Sequence, residues 1–254
     1  MPCQWTVRKR LSNSLTLDFN YTFSKSEDLS SSTENGSSYG GLIQNIWFPR
    51  QMWGVSDYDA RHIVSTFAVW HLPVGRGRAF LGSTNKVVDA ILGGWMVTPT
   101  LQWSSPVTNS VGDGSNWATD WNLTTTADQI APVTTSVTKN APAITGVGGA
   151  NLFANPAAAF NAFQFALPGE SGTRNELRQP GPFAINMSLG KEFTIHENHK
   201  LQFRWESYNL TNTVVFTSYS LSLGTASTFG KATSDTNGNN GGPRQMEFAL
   251  RYSF

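Results

Sequence analysis

The 254 residues carry a formal net charge of +1 and a pI near 7.9, with no Lys/Arg run that suggests a phosphate-tracking groove, so there is no basic field for a nucleic-acid partner. A lone Cys3 cannot form an internal disulfide, and no apolar run approaches the roughly 18 residues of a membrane helix, so the chain could cross a bilayer only as strands. Nine Trp and sixteen Phe in a chain that is 39% hydrophobic suit aromatic girdles at a membrane interface, although soluble sugar-binding proteins carry similar loads.

Residues 5–11 read as the end of a strand, and Ser12-Asn13-Ser14 as a tight turn. In 15–24, Leu15, Leu17, Phe19, Tyr21 and Phe23 alternate with Thr16, Asp18, Asn20, Thr22 and Ser24, a strand with one apolar and one polar face. Residues 25–58 form a long Ser/Gly/Asn-rich loop that ends in Trp47, Phe48 and Trp53. Residues 59–72 are rich in strand formers, but Ile63-Val64 and Phe67 to Trp70 are apolar on both faces, so periodicity does not fix their register. The connection 73–92 contains G-R-G-R-A-F, which lacks the strand-loop-helix setting of a phosphate-cradling loop and reads as a plain connection.

Alternation resumes over 94–107, with Trp95, Val97, Leu101 and Trp103 on one face and Met96, Thr98, Thr100 and Gln102 on the other. Pro99 removes a ladder donor and predicts a local bulge. The stretch 108–180 is the longest irregular region, too long for an ordinary connection, with one helical turn capped by Asn155, opened by Pro156 and expected to pack as a lid. Phe183, Ile185, Met187, Leu189 and Phe193 alternate with Ala184, Asn186, Ser188 and Glu192, and Leu201, Phe203 and Trp205 with Gln202, Arg204 and Glu206. Between those two strands, His196 and His199 have a spacing that could chelate a metal. With no third ligand nearby they read as a solvated turn, and no metal or cofactor is expected. After the loop 214–242, Met246, Phe248, Leu250, Tyr252 and Phe254 alternate with Gln245, Glu247, Ala249, Arg251 and Ser253 to the end of the sequence.

Seven strands emerge, and their connections segregate: short or intermediate at 12–14, 73–92 and 194–200, long at 25–58, 108–180 and 211–242. That is the asymmetry of an outer-membrane barrel, with short periplasmic turns and long extracellular loops. The fold expected is therefore all-β, a partial antiparallel transmembrane β-barrel in the outer membrane of a Gram-negative type bacterium. Arg204, Glu206, Glu247 and Arg251 are its lumen-facing candidates, and outer-membrane lipid is its surroundings. An odd strand count and an N-terminus with charges where a signal peptide needs its apolar core lead to the expectation that residues 1–254 are the C-terminal segment of a longer barrel protein. The alternative is a secreted soluble β-sandwich that binds carbohydrate or acts in adhesion through aromatic residues on its loops. An enzyme is not expected, because His62, His71, His196 and His199 show no spacing with a nucleophile or paired carboxylates that a reaction could use.

Several stretches, in this order, resemble Oar-like TonB-dependent receptors, outer-membrane proteins with a carboxypeptidase-regulatory-like domain, a plug and a barrel. They are Y-T-F-S-K-S-E-D (21–28), S-D-Y-D-A-R-H (56–62), L-P-V-G-R-G-R (72–78), I-L-G-G-W (91–95), N-P-A-A-A-F (155–160), R-N-E-L-R-Q-P-G-P (174–182), L-Q-F-R-W-E-S-Y-N-L-T-N (201–212) and the closing R-Y-S-F. The resemblance implies about seven C-terminal strands of a barrel of about 22, with the plug and N-terminal domains lying outside this sequence. It further implies uptake of a large or scarce substrate, of unknown identity, through a TonB complex engaged by those missing parts. The last eight residues also resemble the signal read by the barrel-assembly machinery, with Tyr252 and Phe254 as its aromatic members and Ala249 where glycine is usual.

Overall fold

The computed structural model describes residues 2–11, 14–31, 47–116, 124–167, 169–196, 199–234 and 242–254. The expected turn residues Ser12, Asn13, Glu197 and Asn198, and most of the two Ser/Gly/Asn-rich loop runs, lie outside them. Seven strands form one antiparallel sheet: β1 (Cys3–Leu11), β2 (Leu15–Phe23), β3 (His62–His71), β4 (Trp95–Ser104), β5 (Phe183–His196), β6 (His199–Tyr208) and β7 (Gln245–Ser253). Each pairs with its neighbour in the sequence, so the sheet is a simple up-and-down meander with β1 and β7 at its edges. Lengths of 9 to 14 residues suit tilted strands that cross a hydrocarbon layer.

The register carries one apolar face across all seven strands. Trp5 pairs with Tyr21, Tyr21 with Val64, Val64 with Trp103, and Trp103 with Phe183. Leu189 pairs with Trp205, and Trp205 with Phe248. For β3 the pairing supplies what periodicity could not: His62, Val64, Thr66, Ala68 and Trp70 share the apolar face, while Ile63, Phe67 and Val69 lie on the other.

The bulge expected at Pro99 does not form. Pairing between β3 and β4 lapses at Ala68 and Val69 but resumes at Trp70 with Val97 in the register set by Ile63 with Ser104. On the other side Pro99 sits opposite Met187 in an unbroken ladder with β5. A missing N–H costs a rung on one side, and the rungs around it hold the register without an inserted residue.

The described parts of the long connections are not irregular, as the sequence suggested, but fold into a cap at one end of the sheet. The buried apolar cluster of the protein lies there, where Val111, Leu152, Phe153, Phe163, Leu177, Leu221 and Phe229 meet from segments 105–182 and 209–244. Phe229 stacks on Phe153 at 5.5 Å and takes the edge of Phe160 at 5.2 Å. Short strand pairs stiffen the cap, among them Val107–Asn109 with Leu177–Gln179 and Thr138–Ala141 with Gly149–Asn151. The expected helical turn is present at Pro156–Phe160, with the Asn155 side chain accepting from the Ala158 amide. It packs Pro156 and Ala159 into the cap core.

At the opposite end, the β3–β4 connection contains a helix that the sequence reading passed over, α1 (Lys86–Leu92). The glycines of G-R-G-R serve a turn beside it. Gly75 has φ of +126°, a Cβ there would lie 2.6 Å from Asp89 Oδ1, and that oxygen accepts the Arg76 amide at 2.6 Å. None of the described helices is long and apolar enough to cross a membrane.

Candidate functional site

Most of the apolar face of the sheet is left uncovered by the described residues. Phe248 and Leu250 are about 70% exposed, and Trp5, Trp70 and Trp103 are also exposed. At the cap end of this face Tyr21 hydrogen-bonds His62 Nδ1 at 2.8 Å, with Phe23 tilted against the same imidazole. At the far end His199 Nδ1 and the Tyr252 hydroxyl are 2.6 Å apart and stacked, and Phe254 leans on Tyr252. Rings with a polar tip at both ends of an apolar band belong where hydrocarbon meets headgroups. At the turn where His196 and His199 were read as a solvated pair, the described His199 ring is turned to Tyr252, and the His196 side chain lies outside the described residues.

Arg204, Glu206, Glu247 and Arg251 all fall on the opposite face. Arg204 pairs with Ala249, Glu206 with Glu247 and Gln202 with Arg251. Arg204 Nε lies 3.1 Å from Glu206 Oε1, and the Tyr208 hydroxyl donates to Glu206 Oε2 at 3.1 Å. The same face holds Arg8 with Asp18 at 2.8 Å, Asn20 bonded to Asp18, and Lys200 with Glu192 at 2.9 Å. Charges spaced in this way need water on that side. Among the described residues two cations break the division, Lys9 opposite Leu17 on β1 and Lys191 on β5. Lys191, skipped in the alternation read from sequence, pairs with Trp95 and Phe203 on the apolar face, and its ammonium lies 5.2 Å from the Trp95 ring and 4.9 Å from that of Phe193.

At the cap end, three of the sequence stretches set out above converge on one polar knot. Arg174 donates to Asp28 Oδ1 at 2.9 Å, to the Met52 carbonyl at 2.9 Å and to Ser31. Asn175, at φ +55°, reaches the Val55 carbonyl and Asp57. Arg178 donates to Asp59 Oδ2 at 2.6 Å and to the Pro106 carbonyl, and Arg61 also pairs with Asp59. The Asp59 side chain is fully buried. Burial alone would push its carboxyl up, but the Ser26 amide and the two guanidinium groups outweigh it and hold the acid below its ordinary range. A glycine is required close by, since a Cβ on Gly181 would meet Ser104 Oγ and the Ser105 carbonyl at 2.4 Å. The knot ties segments 24–61 and 105–182 to the rim of the sheet. Opposite charges in S-D-Y-D-A-R-H and R-N-E-L-R-Q were its sequence signal, but nothing in the sequence brought two stretches more than 100 residues apart together.

The cap also holds three acidic side chains near one another. Burial pushes Glu176 up to about 7, the Asp128 charge adds to it, and the amides of Glu176 and Val111 pull the other way without a hydrogen bond of good geometry to either oxygen. Asp128 is raised to about 6 by burial and by Glu170. The Glu170 carboxylate itself caps the Leu167 amide at 2.9 Å.

An up-and-down antiparallel sheet with a bare apolar face, aromatic girdles at both ends, a charged opposite face and long loops folded at one end is the wall of a transmembrane β-barrel. In a soluble sandwich a second sheet would bury the apolar face, so the sandwich expectation is overturned by its exposure. Residues 3–247 match the family model of the outer membrane beta barrel domain, and the chain belongs to that family. It is an outer-membrane protein. No curated protein and no solved structure matches it.

Proposed function

We propose that this chain forms part of the barrel wall and the extracellular cap of a TonB-dependent receptor of the Oar-like kind, which takes up a large or scarce substrate. The observation that carries the reading is the rim knot of Arg174, Arg178, Asp28 and Asp59, which fastens a folded cap over the wall where a simple pore would leave its loops loose. A fixed cap presents a preformed binding surface, which lowers the entropic cost of capturing a dilute ligand. Exposed Trp47, Phe48, Trp53 and Tyr58 lie on the cap segment joined by that knot. The polar face, with Arg204, Glu206, Glu247 and Arg251, lines the lumen in this reading. Tyr252 and Phe254 serve the barrel-assembly machinery.

The edges support a barrel completed by further strands. On their outer sides β1 and β7 have no partner strand among the described residues, and in hydrocarbon every backbone donor and acceptor must be paired. A plug and the TonB contact belong to the parts that complete it, and catalysis forms no part of the proposal. The test is competitive growth of a gene-deletion strain and its parent on a panel of limiting nutrients, with and without a functional TonB complex. Loss of fitness on one nutrient class, in the TonB-competent background alone, is expected. A defect that persists unchanged without TonB, or no defect on any nutrient, would overturn the reading.

A further inference from the structure

We infer that α1 is an in-plane membrane anchor, docked on the lipid face of the wall and seated at the headgroup boundary of the periplasm-facing leaflet. The helix is short, with Asn85 capping its start through the Val88 amide. Its sequence K-V-V-D-A-I-L puts Val87, Val88, Ile91 and Leu92 on one arc and Lys86, Asp89 and Ala90 on the other. Val87, Ile91 and Leu92 are exposed, as are Phe80 and Leu81 just before the helix. Among the described residues nothing of the chain covers this apolar arc.

The docking decides what does. The Ile91 carbonyl, at the helix C-terminus, accepts from the Trp95 indole at 2.9 Å and from the Lys191 ammonium at 3.2 Å. Both donors belong to the lipid face, where Trp95 and Lys191 are direct cross-strand partners on β4 and β5. The helix is therefore fixed to the membrane side of the wall, at the end of the short turns, and its bare apolar arc continues the surface already in contact with lipid. A short amphipathic helix held there lies with its apolar side in the acyl boundary. Lys191 is 5% exposed and serves as the pin, its ammonium shared between two rings and a helix C-terminal carbonyl. The polar side of the helix borders a cleft of about 270 Å³, lined by Arg76, Lys86, Asp89, Lys191, Glu192 and Thr194 among others, three cations to two carboxylates. Arg76 and Lys86 stand at the level where lipid phosphates lie, and the occupant is a phospholipid of that leaflet.

The test uses the complete barrel protein to which this chain belongs, with Cys3 and any cysteine outside the chain replaced by Ser and a single fluorophore-labelled cysteine at Val87, Ala90 or Leu250. It is inserted in phosphatidylcholine vesicles with or without phosphatidylglycerol, and the quencher is a lipid spin-labelled on its acyl chain close to the glycerol backbone. Quenching at 87 is expected to exceed that at 90 at least two-fold. The pair Arg76→Glu and Lys86→Glu should lower the quenching at 87 at least two-fold in vesicles containing phosphatidylglycerol. Equal quenching at 87 and 90 overturns the anchor, and no response to the charge reversals overturns the phosphate contact. A second measurement does not depend on refolding. In outer membranes isolated from expressing cells, a water-soluble maleimide should modify a cysteine at 87 at least five-fold more slowly than one at 90, and equal rates overturn the proposal.

Discussion

Glu206 and Glu247 stand directly opposite each other on the polar face of the wall, a like-charge pair across β6 and β7. Such a pair is destabilising unless countercharge or water relieves it, and Arg204 at 3.1 Å supplies part of that relief. Leu250, three residues further along β7, points the other way. Glu247→Arg should therefore be neutral or slightly stabilising. Leu250→Arg should cost about 2–4 kcal/mol near the bilayer midplane and less toward an interface. Folded fractions in vesicles titrated with urea will separate the two, and equal damage from both would mean that the faces are assigned wrongly.

The rim knot gives a second contrast. Removing one partner of a buried ion pair leaves a stranded charge, at roughly 3–5 kcal/mol. Arg178→Ala, beside fully buried Asp59, should approach the lower end of that range, because Arg61 and the Ser26 amide remain. Arg8→Ala, whose side chain is largely exposed where it meets Asp18, should cost no more than about 1 kcal/mol. Limited proteolysis of the cap, read as the rate of cleavage in segment 47–61, is the measurement. A cap that resists protease equally in both variants would remove the knot from its role.

Acid groups in the cap make its stability depend on pH. Glu176 is held up at about 7 and Asp128 at about 6, so the folded cap keeps protons that the unfolded chain has released. There is no penalty below the ordinary carboxyl values of 4.5 and 3.8. The penalty grows as pH rises toward 7 and is constant above it. For Glu176 it is about 3 kcal/mol at most. Resistance to denaturant should rise as pH falls from 8 to 5, and Glu176→Gln should raise stability at pH 8 and flatten that slope. An unchanged slope in the variant would assign the dependence to other groups.

Phe229 anchors the cap core, almost wholly buried between Phe153 and Phe160. Phe229→Ala should cost about 3–5 kcal/mol of cap stability and leave the wall inserted, because no wall strand belongs to that cluster. Hydrogen exchange resolved between cap and wall peptides will show this. Equal loss of protection in both would mean that they fold as one unit.

Phe254 is 88% exposed and tilted on Tyr252 at the edge strand. Its deletion removes little packing, so any fall in outer-membrane level should reflect assembly and not stability. A several-fold drop in folded protein in membrane fractions is expected, with unchanged urea resistance of the fraction that does insert. Full levels after deletion would leave Phe254 without the assembly role proposed for it.

The wall was legible in the amino-acid sequence because alternation along a strand is a local property. Leu15 to Phe23, Phe183 to Phe193 and Met246 to Phe254 each announce their own faces, and the uneven connections announce the two ends. Three features were decided only by long-range contact. β3 is apolar on both sides, and its register came from the strands beside it. Lys191 interrupts an apolar series for no local reason, and only the arrival of Trp95 and the Ile91 carbonyl, from about 100 residues away in the chain, explains it. The cap has no period to read, since its core is assembled from single residues such as Val111, Phe153 and Phe229 scattered through two connections, and burial of that kind is a property of the fold and not of any segment.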